Sequence, residues 1–279
     1  MAKSMNRADV FRATHGISLK EKVGTAQNLF LSSTQSRLGA AGAFTLTCES
    51  QRPCLLQTVT IDADNAGAQC TGDITTLTVA GQETLVSDKA VSLGVFSATS
   101  FNSKCRSLGI SVNNNMKVVI QGNLTNTGGN VSTAIALDPI PEDRVQTRQA
   151  QAAAYSYVFG LGSKGVPAAG NATLSARSNR AVTLGEILLT NETNPGAFVQ
   201  SSDIVITSIK IGGLEMLNSA TGATEISLNC FSPQNTDYMG LNLAYVISPQ
   251  TEVEVELKSY DAVNAAEVGG AIFCEPWSK

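Results

Sequence analysis

Histidine is almost missing from this sequence: His15 is the only one in 279 residues. A multi-histidine metal centre, or a histidine-bearing triad deep in the fold, has no material here. Aromatics are sparse as well, with one Trp, five Tyr and nine Phe, which weighs against sugar sites built by stacking. Charged residues make up 15% of the chain, against ~25% in ordinary soluble proteins. Net charge is −4, so the basic excess of a dedicated nucleic-acid binder is absent. No run of about 18 uncharged apolar residues occurs, so no membrane-spanning helix is expected. The start, M-A-K-S-M-N-R-A-D-V-F-R, has no apolar core of signal-peptide length, and synthesis in a cytoplasm without general export is expected. Cys48, Cys54, Cys70, Cys105, Cys230 and Cys274 include no C-x-x-C pair, so zinc-ribbon spacing is missing. They read as reduced, buried small hydrophobes, as in L-N-C-F and I-F-C-E.

What is present begins with enough apolar residues, 43%, for a substantial core. Charge is unevenly placed. Residues 1–40 carry Lys3, Arg7, Arg12, Lys20, Lys22 and Arg37 against Asp9 and Glu21, whereas residues from 181 onward carry twelve acidic groups and three basic ones. A basic arm on a more acidic body points to an anionic surface or an acidic neighbour; a solvated tail docked on its own subunit is the plainer alternative.

Period-two alternation rich in Val, Ile and Thr recurs in L-Q-T-V-T-I-D (56–62), I-T-T-L-T-V-A-G (74–81), K-V-V-I-Q-G (117–122) and T-E-V-E-V-E-L (251–257), separated by turn-forming clusters. This is the pattern of a sandwich or barrel, an all-β fold. A helix is expected over 144–160, where Ala and Gln dominate and Gly160 would end it, followed by a Gly/Pro linker over 160–171.

A weak internal repeat organises the chain. Ile74, Thr75, Leu77, Val79, Gly81, Glu83 and Leu85 fall on Ile206, Thr207, Ile209, Ile211, Gly213, Glu215 and Leu217 at a constant offset of 132. Phe96 falls on Phe231 at offset 135, as do Val118 and Ile120 on Val253 and Val255. The division expected is a basic arm (1–43), a first β domain (44–142), a helix and linker (143–180) and a second β domain (181–279). Each copy has room for about eight strands, the number in a jelly roll. Loops 86–107 and 218–240 differ most between copies and are expected to be exposed decoration.

In that plan (two copies sharing I-x-x-L/I-x-V/I-x-G-x-E-x-L, a short basic arm and a joining helix) the chain resembles the double jelly-roll major capsid proteins of icosahedral, internally membraned bacterial viruses. The resemblance implies a structural virion protein, not an enzyme, that forms pseudo-hexagonal homotrimers tiling a shell. It further implies that Lys3, Arg7, Arg12, Lys20 and Lys22 contact internal membrane lipid head groups, minor capsid proteins or neighbouring subunits. No cofactor and no specific nucleic-acid recognition are implied. The competing class is a tandem β-sandwich lectin or phage-fibre module that binds carbohydrate or a receptor.

Two carboxylate groups are the candidates for metal. Asp62, Asp64 and Asp73 flank D-A-D-N-A-G, which looks like the start of a calcium loop but has Asp73 where Glu belongs at the twelfth position. Glu252, Glu254 and Glu256 line one face of a strand, which reads more simply as a solvated, edge-protecting charge row or a face for a neighbour's basic arm. G-L-G-S-K-G lacks phosphate-loop spacing, and G-x-S-x-G does not occur. Trp277 is expected to anchor the tail on a barrel or a neighbour.

Overall fold

Alternation decides the backbone throughout. In G-A-F-T-L-T-C-E the side chains of Phe44, Leu46 and Cys48 turn inward, and in E-V-E-V-E-L-K-S those of Val253, Val255 and Leu257 do the same. A computed structural model describes residues 29–32, 36–51, 53–65, 68–96, 110–125, 128–139, 157–193, 201–217, 225–232 and 241–277. It is all-β, with four antiparallel sheets, and helix among the described residues is confined to short 3-10 turns.

The first half contains β1 (Leu29–Ser32), β2 (Ser36–Arg37), β3 (Gly42–Glu49), β4 (Cys54–Asn65), β5 (Ala68–Gln69), β6 (Gly72–Val79), β7 (Gln82–Glu83), β8 (Val91–Ser92), β9 (Ile110–Val112), β10 (Lys117–Leu124) and β11 (Asn130–Pro139). One sheet runs β1-β11-β4 with β9 beside β4; the other runs β3-β10-β6 with β8 beside β6. The second half contains β12 (Tyr157–Val166), β13 (Asn171–Arg177), β14 (Val182–Asn191), β15 (Ile204–Ile211), β16 (Leu214–Glu215), β17 (Ile226–Ser227), β18 (Leu241–Ile247), β19 (Glu252–Ser259) and β20 (Ala266–Pro276). Its sheets run β12-β20-β14-β18 and β13-β19-β15, with β17 beside β15. Setting aside the short β2, β5, β7 and β16, both halves pair their strands alike. In chain order, the first pairs with the eighth, the eighth with the third and the third with the sixth; the second pairs with the seventh, the seventh with the fourth and the fourth with the fifth.

The matched sequence segments take matched places. Both hairpins that follow β6 and β15 turn through two residues with positive φ, Ala80 (54°) and Gly81 (80°) in one, Gly212 (58°) and Gly213 (82°) in the other. That is the conformation of a tight two-residue hairpin, and it explains a glycine at the second position of each. The glutamate two residues on has a backbone task. Glu83 Oε1 accepts from the Leu77 and Leu85 amides (both 3.1 Å), and Glu215 Oε1 accepts from the Ile209 and Leu217 amides (3.1 and 2.9 Å). In each case one carboxylate holds together the two arms of the hairpin.

Several sequence expectations are corrected. Tyr157–Gly160, assigned to the end of a helix, and 160–166, assigned to a linker, together form β12; residues 144–156 lie outside the described residues. The second half's strands therefore start well before 181. β1 and β2 lie inside the stretch assigned to the arm, and pair with β11. Segment 86–96 is no exposed loop, since Val86, Val91, Leu93, Val95 and Phe96 are all buried. The apolar runs mislead because strands shielded on both faces lose alternation and look like helix or loop. Of the cysteines, Cys48, Cys54, Cys70 and Cys274 are buried free thiols and Cys230 an exposed one, while Cys105 lies outside the described residues. Burial pushes the Cys48, Cys54 and Cys274 thiols up, away from reactivity.

Glu215→Ala tests the hairpin clasp. Partial burial alone would raise the Glu215 carboxyl, but the Ser208 hydroxyl and the Leu217 and Ile209 amides outweigh it and hold the group below its ordinary value. The substitution is expected to cost about 1 kcal/mol at neutral pH in urea unfolding, the low end for bonds to a charged group because solvent screens this one. A depressed carboxyl gives its stability above the unfolded pKa and loses it as pH falls through the folded one, so the cost shrinks in acid.

Candidate functional site

The two halves meet along a seam built from one continuous segment, 84–96. β12 is the outer strand of its sheet, and the side away from β20 would leave main-chain groups unpaired. Segment 84–96 fills it. The Val158 amide donates to Thr84 O (2.9 Å), the Val86 amide to Val158 O (3.0 Å) and the Gly162 amide to Ala90 O (3.0 Å). The Gly160 amide donates to Ser87 Oγ (2.7 Å). Further along, the Asp88 amide donates to Arg177 O and the Arg177 amide to Asp88 Oδ1 (2.7 Å). Gly160 must be glycine: a Cβ there would stand 2.4 Å from Ala90 O and 2.6 Å from Lys89 O.

Beyond β8 the segment winds into a 3-10 turn, Leu93–Phe96, all of it buried. This turn wedges between the halves. Leu93, Val95 and Phe96 share one apolar cluster with Leu188 of β14 and with Ala271 and Phe273 of β20; the Phe96 and Phe273 rings meet edge to face at 6.2 Å. Val86 in turn is buried in the second half's core beside Phe159 and Leu161. Each such side chain is worth about 1.5–3 kcal/mol in burial, so the seam is a core and not a loose contact.

One charged group lies inside it. Glu192, directly after β14, is 8% exposed. Its Oε1 accepts from the Gly94 amide (3.0 Å) and from Thr190 Oγ1 (3.2 Å), and Thr190 also lies 3.4 Å from Ser92 Oγ. Burial, then the nearby carboxylates of Asp73 and Glu267, push this carboxyl up to about 8, against the opposing pull of Gly94 and Thr190. Asp73 and Glu267 are raised too, chiefly by burial, with the Ser163 hydroxyl pulling the other way in both. In sequence, 86–96 reads only as part of an exposed loop, and Glu192 is not marked at all. The one available signal is the unbroken apolar run V-S-L-G-V-F; Glu192 sits in an ordinary N-E-T triplet.

The sequence-derived candidates do not converge. Asp62 and Asp64 lie on β4, in regular strand where a loop was expected, and Asp73 lies on β6 of the facing sheet, hydrogen-bonded by Ser163 at 3.3 Å. Glu252, Glu254 and Glu256 share a face of β19, but β19 is interior, between β13 and β15, so they guard no edge. They face cations instead: Arg177 stands 3.2 Å from Glu252, and Lys210 2.6 Å from Glu256. Among the described residues no group of three or more His, Cys, Asp or Glu is arranged to hold a metal ion. Lys3, Arg7, Arg12, Lys20 and Lys22 lie outside the described residues. Trp277 is 45% exposed. No helix among the described residues is long and apolar enough to cross a membrane.

No protein-family model matches the chain, and no curated protein matches it significantly. Among solved structures, the major capsid protein P2 from Bacteriophage PM2 is similar over 91% of this chain and 99% of its own, with a TM-score of 0.39 and 7% identity. PNGF-II is similar over 93% of this chain and 67% of its own, with a TM-score of 0.38 and 10% identity. The ANX2 ectodomain from Arabidopsis thaliana gives a TM-score of 0.24 at 10% identity, over 91% and 90% of the two chains. Scores and identities this low transfer no residue roles and no activity to the present chain.

The seam makes a steric prediction. Gly160→Ala drives a methyl group into two carbonyl oxygens and is expected to cost about 1–3 kcal/mol, read by chemical denaturation. Gly165→Ala, on the same strand with nothing within 4 Å of its Cβ position, is expected to stay within about 0.5 kcal/mol of the parent.

Proposed function

We propose that the chain is a structural virion protein, a major capsid protein whose trimers, roughly hexagonal in outline, tile an icosahedral shell. On this reading each half is an eight-stranded jelly roll, the two having arisen by duplication. The shared strand order, with facing four-strand layers in both halves, supports that assignment. The chain performs no catalysis here; its work is assembly.

The seam is the observation that carries the reading. It is a head-to-tail contact: the turn Leu93–Phe96 of one half lies against the outer face of the other half's sheet. Each participant has a counterpart in the other half. The turn is matched 135 residues later by Leu228–Cys230 and Phe231, and the β12-β20-β14-β18 sheet is matched by β1-β11-β4-β9. A head-to-tail contact between like units closes into a ring when its rotation allows. Three chains supply six such units, turning three-fold symmetry into a nearly six-fold outline. Cys230 occupies the place that Val95 fills in the seam, yet Val95 is buried and Cys230 exposed. Its partner surface in the next chain is the outer face of β4 and β11, where Thr60 stands opposite Ala134 and Asp62 opposite Ser132. Thr60 and Ser132 there are small and uncharged and pack without desolvating an ion. The basic residues Lys3, Arg7, Arg12, Lys20 and Lys22 would meet lipid phosphates of an internal membrane or an acidic minor capsid protein.

Mass photometry and negative-stain imaging of the full chain test this. Particles of three times the 29.1 kDa chain mass with a hexagonal outline are expected. In an Asp62→Cys variant, a bis-maleimide should join that thiol to Cys230 of a neighbouring chain and yield covalently closed trimers. A monomer at every concentration sinks the capsid reading, and one retained on immobilised glycans favours a carbohydrate-binding module. Trimers that never cross-link overturn the placement of the contact and leave assembly standing. Deleting residues 1–20 is expected to preserve the fold and the trimer while abolishing binding to anionic liposomes or growth into larger shells. Loss of folding in that deletion overturns the assignment of the arm.

A further inference from the structure

We infer that the seam is a pH-controlled latch, closed while the Glu192 carboxyl keeps its proton and loosened when it ionises. The geometry makes the carboxyl an effective control point. It bridges the halves directly: the Gly94 amide belongs to the wedge turn of the first half, while Thr190 and Glu192 itself belong to the second. A Cβ at Gly94 would fall 2.6 Å from Glu192 Oε1, so turn and carboxyl are in close contact with no space between them for water. Charged groups acting on Glu192 come from two elements, Asp73 of β6 and Glu267 of β20, and both are acidic. The other elements packed there, β8, β12 and the wedge turn, present Ser92, Ser163 and Gly94, none of which titrates in this range. Among the described residues no salt bridge reaches Glu192.

A buried carboxylate with two donors, two acidic neighbours and, among the described residues, no cation is relieved by water. Water reaches it when the turn Leu93–Phe96 lifts from the sheet. In the closed seam Glu192 releases its proton near pH 8, whereas a hydrated glutamate does so at about 4.3. Between those values the open form has lost a proton that the closed form still holds. Closure therefore weakens as pH rises, the opening constant growing about tenfold per pH unit until it levels off above the closed-state value. This behaviour belongs to the single chain and does not depend on whether it forms shells.

Amide hydrogen exchange on the full chain at pH 6 and pH 9, corrected for the intrinsic rate, reads the opening directly. Protection at Val86, Gly94, Val158, Gly160 and Gly162 is expected to fall by up to about a hundredfold relative to core amides such as Ile120 and Val255. Glu192→Gln keeps the shape and cannot ionise, so its seam amides should stay protected at both pH values. Asp73→Asn removes one neighbouring charge, which eases ionisation in the closed seam, so the loss of protection should level off at lower pH and be smaller at pH 9 than in the wild type. Uniform loss of protection across the wild-type molecule, or the same seam-specific loss in Glu192→Gln, overturns the latch. If Glu192→Gln does not fold, the wild-type exchange pattern and Asp73→Asn decide it, and an Asp73→Asn seam that loses as much protection at pH 9 as the wild type counts against the latch.

Discussion

The free edge of β12 is the constraint from which the arrangement of the two halves follows. A strand end-on to solvent would leave the amides of Val158, Gly160 and Gly162 without partners, an invitation to unwanted pairing. The chain answers with its own segment 84–96, which adds itself to that edge and then turns its apolar residues into the space behind it. Once the edge is covered in this way the halves can no longer choose an angle. Main-chain bonds fix the register, Gly160 fixes the closeness of approach, and Phe96 against Phe273 fixes the depth of the wedge. Polar bonds at the edge and apolar burial behind it reinforce each other, because burial excludes the water that would compete for those bonds.

The two halves carry one plan under different obligations. Their hairpin clasps, Glu83 and Glu215, make the same pair of backbone hydrogen bonds through Oε1. Their 3-10 turns differ. Leu93–Phe96 serves two masters, its own sandwich and the neighbour's sheet, and is all apolar apart from Gly94. Leu228–Cys230 keeps Leu228 inside its own core but carries Asn229 and an exposed Cys230. Where matched positions face their own core the two halves are alike, and where the first turn also packs on the other half's sheet they differ. Such a split is expected when packing inside a unit must be kept and packing between units is set case by case.

Much of this was legible in the sequence, for identifiable reasons. Strands with one wet face announce themselves by alternation, so β6, β10, β15 and β19 were readable, and the G-x-E-x-L spacing marked equivalent hairpins because a glycine turn and a carboxylate clasp leave little freedom. Misreadings cluster where a strand is covered on both faces or an edge is covered by another half. β12 reads as helix and linker because Tyr157, Val158 and Phe159 have no polar alternation, Val158 and Phe159 both being buried, and because Gly160 serves close approach rather than flexibility. Segment 86–96 reads as a loop for the same reason. Glu192 was invisible altogether. Nothing about a glutamate in N-E-T reveals that tertiary packing will bury it, and its significance lies in Gly94, Asp73 and Glu267, which come from far along the chain.

That last point alters the electrostatics inferred from counting. Residues from 181 onward carry twelve acidic groups against three basic ones, which looks like an acidic surface awaiting the basic arm. Place by place, much of that charge is already committed. Burial disfavours the charge on Glu192, and half-buried Glu267 is pushed up by its burial and by Asp73. Glu215 is bound to the Ile209 and Leu217 amides, and Asp261 to the Val263 and Asn264 amides. Glu225, Glu252 and Glu256 each have a lysine or arginine beside them. An anion that already holds donors attracts a further cation weakly, and in salt more weakly still. The described carboxylates of the second half are thus mostly committed within it, and the net count overstates the negative charge that this half offers to a neighbour.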